Sequence, residues 1–152
     1  MKWNCLESLA GTKFLWQILL MIISSPKNAV VHDLHTSTVW FDEDGILWSV
    51  SKKVPQPSIE ENKEILKMFE KITGGKKVCM LADVTNTTES TREMREWAAE
   101  ELPKLVKAVA MVSDSALGKM LANMFFRLKT QPYPVKMFND VDSALKWLKQ
   151  YL

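Results

Sequence analysis

The sequence predicts an α/β fold: a mixed β-sheet opened by an N-terminal hairpin, continued by βα units, with helices packed against it. Three observations carry this. The segment HTSTVWFDEDGILWSVSKKV alternates with period two about Asp44-Gly45, a pair that tolerates positive φ, and so predicts two strands around a tight turn. KVCMLADV and LVKAVAMVS are short, nearly continuous apolar runs, the pattern of parallel strands buried on both faces. Between and after them stand amphipathic segments with helix entry and stop signals.

In chain order, the hairpin carries Thr38 and Trp40 on its first strand and Ile46, Trp48 and Val50 on its second, and Pro55 and Pro57 end it. Ser58 followed three residues later by Glu61 is a capping box, and the helix it opens repeats Ile59, Ile65, Leu66, Phe69 and Ile72 on one face up to Thr73, where Gly74-Gly75 stops it. After the first buried strand, a helix with Met94, Trp97, Ala98 and Leu102 on one stripe is expected to run until Pro103 interrupts or redirects it. The second buried strand leads to a helix over 115–130, with Leu117, Met120, Leu121, Met124, Phe125 and Leu128 on one face. YPVKMF predicts a last strand, and NDVDSALKWLKQYL a last helix capped by Asn139 or Asp140. Right-handed crossovers then determine most of the topology.

The 152 residues are 47% hydrophobic, enough for one domain with a real core, expected over 34–152 after an extension over 1–33. Twenty basic and 18 acidic residues are spread without a block of one sign, which argues against nucleic-acid binding. Two cysteines in unlike contexts predict no disulfide framework, hence a reducing, cytoplasmic compartment. The apolar segment 14–23, FLWQILLMII, falls short of the roughly 20 residues needed to span a bilayer. A helix packed on the domain and a start placed too early, with Met21 as the alternative, are preferred there over an interfacial anchor.

DGILWSV, TGGKK, the strand ending in Asp83 with its hydroxyl-rich loop, KAVAMVSDSALGKMLANMFF and PVKMFNDVDSALKWLKQYL together resemble the SpoIIAA-like proteins, also called STAS/SEC14 domain proteins, over about Thr36–Leu152. The resemblance implies a STAS-like sheet and a non-catalytic regulatory or protein-interaction domain. The SEC14 half of the family name implies an alternative, a carrier or sensor of a lipid or other apolar ligand. Anti-sigma-factor antagonists carry an Asp-Ser-Ser-Gly-like phosphorylation motif after the central strand, whereas the loop here is DVTNTTEST.

Candidate sites follow from where open α/β sheets bind, at the carboxyl ends of parallel strands and at helix N-termini. Asp83, Thr85, Thr87, Thr88, Ser90 and Thr91 form one such loop, and Ser113 and Ser115 a second, lining one polar rim if their strands are neighbours. Hydroxyls at these places also serve as helix caps, and Ser90 or Thr91 suits that role. The Met- and Phe-rich helix Leu117, Met120, Leu121, Met124, Phe125 and Leu128 is either core or the movable cover of an apolar ligand. Catalysis finds little support: the histidines, His32 and His35, both precede the domain, Cys79 lies in a strand, and no phosphate-cradling glycine loop occurs. The pair His32 and His35, with Asp33 between, lacks further metal ligands. Neither cofactor nor metal is implied; a protein partner or a small apolar ligand is, with peripheral membrane contact and a homodimer left open.

Overall fold

The structure, a computed structural model, describes residue 25, residues 27–120, residue 123 and residues 131–152. The apolar segment 14–23 and Leu121, Met124, Phe125 and Leu128 lie outside the described residues.

Among the described residues six strands, β1 (His32–Asp33), β2 (Ser37–Phe41), β3 (Leu47–Ser51), β4 (Val78–Asp83), β5 (Val106–Val112) and β6 (Val135–Phe138), form one sheet in the order β1-β2-β3-β4-β5-β6. The first three pair antiparallel and the rest parallel, which is the mixed sheet expected. Helices α1 (Ile59–Thr73), α2 (Arg92–Leu105) and α3 (Val141–Leu148) connect and close it, and residues 116–120 are also helical. The short β1 had no legible signal; its two residues, His32 opposite Val39 and Asp33 opposite Thr38, immediately precede residue 34.

The hairpin turn is built by one side chain. Asp42 Oδ1 accepts the N–H groups of Asp44 and Ile46 at 3.0 and 2.9 Å, its Oδ2 accepts the Trp48 indole N–H at 2.9 Å, and Gly45 supplies φ of 79°. Trp40 and Trp48, directly opposed across β2 and β3, stack with ring centroids 5.7 Å apart.

Alternation along the strands sorts the side chains to two faces. One face carries Val39, Leu47, Met80, Val106 and Val109 and receives α1 and α2. The other carries Ile46, Cys79, Leu81, Ala108, Ala110 and Val112 and receives α3 through Ala144 and Leu148. Two crossover helices on one face are what right-handed connections require of a sheet whose parallel strands advance in one direction. The alanines on the second face let α3 sit close, and Lys149, just beyond it, pairs with Asp44 at 2.6 Å. Asp140, not Asn139, caps α3, its carboxylate accepting from Ser143 N–H at 2.7 Å, and that bond holds its pKa below the usual value.

One expectation is corrected. Pro103 does not interrupt α2, which runs on to Leu105 and passes directly into β5. Proline removes one N–H in the last turn, but Leu102 and Leu105 anchor that turn in the core. Of the stripe expected over 115–130 as core or movable cover, the described members Leu117 and Met120 are 55% and 52% exposed. Cys79 is buried as expected, and burial pushes its thiol pKa up. Tyr133, outside any strand, is buried beside the first cluster, and burial alone raises its pKa to about 12.

Candidate functional site

Helix α1 is amphipathic and correctly capped, with Ser58 and Glu61 exchanging both bonds of the capping box, yet not one of its residues is fully buried. Its apolar stripe and that of α2 meet the sheet only in part. They roof a cavity of about 390 Å³, lined by Ile65, Leu66 and Phe69 from α1 and by Met94, Trp97, Ala98 and Leu102 from α2.

The floor explains the space. On this face of the sheet Val39 and Leu47 give way, toward the carboxyl end of β3 and β4, to Ser37, Ser49, Ser51 and Ala82. Ser37 lies opposite Ser51, and Ala82 beside Ser49, so four small side chains cluster where the helices need bulk to rest on. Packing at protein density leaves no such void unless side chains are too short to fill it.

The mouth lies at the carboxyl ends of the parallel strands, where Thr87 and Ser90 reach the lining and a recess of about 190 Å³ adjoins it, lined by Thr88, Asn86 and Pro55 among others. Asn86 ties the loop to β3, its backbone N–H donating to Ser51 Oγ at 3.0 Å and its amide to Ser51 O at 3.1 Å. Asn62 of α1 reaches across to Met94 of α2, its Nδ2 lying 3.4 Å from the thioether sulfur. Arg95 also lines the cavity: a guanidinium N–H donates to the Ser90 carbonyl oxygen, while its Nε is buried without an acceptor among the described residues. Of the acidic lining residues, Glu101 accepts from Lys104 Nζ through both oxygens at 2.7 and 2.8 Å, and Asp83 Oδ1 accepts from Thr85 N–H at 2.8 Å.

The hydroxyl-rich residues divide by task. Thr91 caps α2, accepting from Met94 N–H at 3.2 Å. Thr85 Oγ1 accepts from Asp114 N–H at 3.2 Å, so the two loops do meet, as neighbouring strands β4 and β5 require. Ser113 is buried and its Oγ accepts from Ser115 N–H at 3.1 Å, while Ser115 Oγ accepts from Gly118 N–H at 3.2 Å. These four hold the strand-to-helix junctions. Asp83, Thr87, Thr88 and Ser90 are the members that reach the cavity or its recess. Leu117 and Met120 line neither.

Sequence reasoning missed the larger part of the site, the helix residues Ile65, Phe69, Trp97 and Ala98, because a stripe facing a cavity reads like a stripe facing core. Arg95 was missed as an ordinary helix-face charge. The available signal was Ser37, Ser49 and Ser51 at alternate positions shared with Val39 and Leu47.

Among the described residues, no helix is long and apolar enough to cross a membrane. A family model described as a domain of unknown function, DUF7793, matches residues 39–152. No curated protein matches the chain. Among solved structures, an uncharacterised DUF3478-family protein with a SpoIIAA-like fold from Shewanella loihica PV-4 is 18% identical, with a TM-score of 0.46, covering 83% of this chain and 98% of its own. A protein with unknown function from Arthrobacter sp. FB24 is 21% identical, with a TM-score of 0.27, covering 74% of this chain and 92% of its own.

Proposed function

We propose that this chain, which belongs to the DUF7793 family, is a non-catalytic STAS-type binding domain that takes a small apolar ligand into the cavity between α1, α2 and the sheet. The observation that supports this reading is the coincidence of a 390 Å³ space, apolar along its roof, with a polar mouth at the carboxyl ends of parallel strands. Its volume falls within the roughly 300–1,000 Å³ of small-molecule pockets. Apolar lining supplies the driving force for a ligand and a few polar groups orient it. The cover in this reading is the α1–α2 pair rather than helix 115–130.

Filling the space is the direct test. Ala98→Phe, which places a ring into the cavity, should weaken capture of the neutral apolar dye Nile red by about tenfold, the loss from excluding two or so methylenes of contact. Its thermal midpoint should hold or rise. Undiminished capture by a folded Ala98→Phe protein would place dye binding elsewhere and defeat the reading.

A regulatory role through a protein partner fits the same mouth. Thr87 and Thr88 are exposed at its rim and make no side-chain hydrogen bond among the described residues. A partner that docks there meets the site of occupancy. Thr88→Glu should then change the set of proteins retained on the immobilised chain, and an unchanged set would remove the rim from consideration.

A further inference from the structure

We infer that the ligand is an amphipathic monocarboxylate, its apolar body against Ile65, Phe69, Trp97 and Ala98 and its carboxylate on the guanidinium of Arg95. This rests on the reading above, that the cavity is the binding site.

Arginine has five N–H donors in a rigid fork and no acceptor. Here the Ser90 carbonyl takes one Nη, while Nε, buried in the same setting, has no acceptor among the described residues. Buried donors are almost always satisfied; this one is closed off as placed, and a turn of the Arg95 side chain, which lines the cavity, would bring that edge of the guanidinium to a ligand's acceptor. A carboxylate fits because its two oxygens match a pair of parallel N–H donors along one edge of the guanidinium.

The neighbouring charges select the same class. Glu101 has both oxygens engaged by Lys104, and it lies six residues along α2 from Arg95, about 9 Å at 1.5 Å per residue. Asp83, also in the lining, has an oxygen engaged by Thr85 N–H. Neither forms an ion pair with Arg95 among the described residues. Arg95 is the one basic residue among the described lining of the cavity. Lys52, in the adjoining recess, is already paired with Asp33 at 2.7 Å and donates to the Leu34 carbonyl at 2.6 Å. One available cation suits a monoanion, whereas a phosphate dianion would be left half neutralised. A cationic head would leave Nε as unsatisfied as it is without a ligand.

Calorimetric titration of the full chain with decanoate and with decanol, which share an apolar body and differ in the head, separates the two levels of the proposal. Decanoate should bind at least about tenfold more tightly, the scale of a charge-assisted pair against a neutral one. Arg95→Gln should bind decanol as the wild type does and lose the preference for decanoate, and Arg95→Lys should keep part of it. Equal binding of the two by wild type, or an undiminished preference in a folded Arg95→Gln protein, overturns the carboxylate while leaving the cavity standing. Binding of neither by wild type removes both. If Arg95→Gln does not fold, wild type decides alone against decylammonium, and tighter binding of the cation overturns the proposal.

Discussion

Leu81→Ala is expected to destabilise the domain by about 3–5 kcal/mol, the upper range for a buried leucine whose surroundings cannot collapse. Leu81 is 1% exposed at the centre of β4, on the sheet face covered by α3. Its cluster includes Ala108, Ala110 and Ala144, whose methyl groups cannot reach into the space it would vacate. A void therefore persists, adding its own cost to the lost transfer energy of the side chain. Urea denaturation should show a lower midpoint at unchanged slope, since the surface exposed on unfolding is nearly the same. Leu66→Ala should cost distinctly less, because Leu66 already faces the cavity on one side. Equal losses at the two positions would mean that the α1–α2 face is packed as tightly as the α3 face.

Gly118→Ala is the second large effect, and its sign is unusual. In an ordinary helix this change gains up to about 1 kcal/mol, because alanine loses less backbone freedom on folding. Here a Cβ at residue 118 would stand 2.5 Å from Ser113 Oγ and 2.7 Å from the Val84 carbonyl oxygen. Ser113 is buried and hydrogen-bonded to Ser115, and Val84 is held by its N–H bond to Val112 O at 2.9 Å, so neither yields cheaply. Overpacking of this kind costs about 1–3 kcal/mol, which outweighs the helix gain. Denaturation should show a net loss, with partial recovery in Ser113→Ala/Gly118→Ala because Val84 O remains in the way. A stabilised Gly118→Ala protein would show that the two junctions are not pressed together at this point.

These junctions also show how far the sequence could be read. The Asp44-Gly45 hairpin, the Ser58/Glu61 capping box, the two apolar strands and the Asp140 cap are local signals, set by residues within a few positions of one another, and each recurs in the structure. Their order yields the mixed sheet because parallel crossovers leave few alternatives. The cavity is of another kind. It depends on Ser37, Ser49, Ser51 and Ala82 from three strands lying together under two helices, and no short stretch records that meeting. The hydroxyl cluster from Asp83 to Thr91 drew notice by its density, but structure splits it. Thr85 and Thr91 hold junctions, whereas Thr87, Thr88 and Ser90 face the mouth. Arg95, the cation in the described lining, stands on the helix itself, where a charge at that spacing ordinarily marks a solvated face.

The location of the bound ligand settles whether the α1–α2 cavity is the working site. Isotope-filtered nuclear Overhauser spectra of the labelled chain with unlabelled decanol should show contacts from the ligand's methylenes to the side chains of Ile65, Phe69 and Ala98, and none to Leu117 or Met120. Contacts to Leu117 and Met120 without any to Ile65, Phe69 or Ala98 would contradict it, and would move the apolar site to the helix that follows β5.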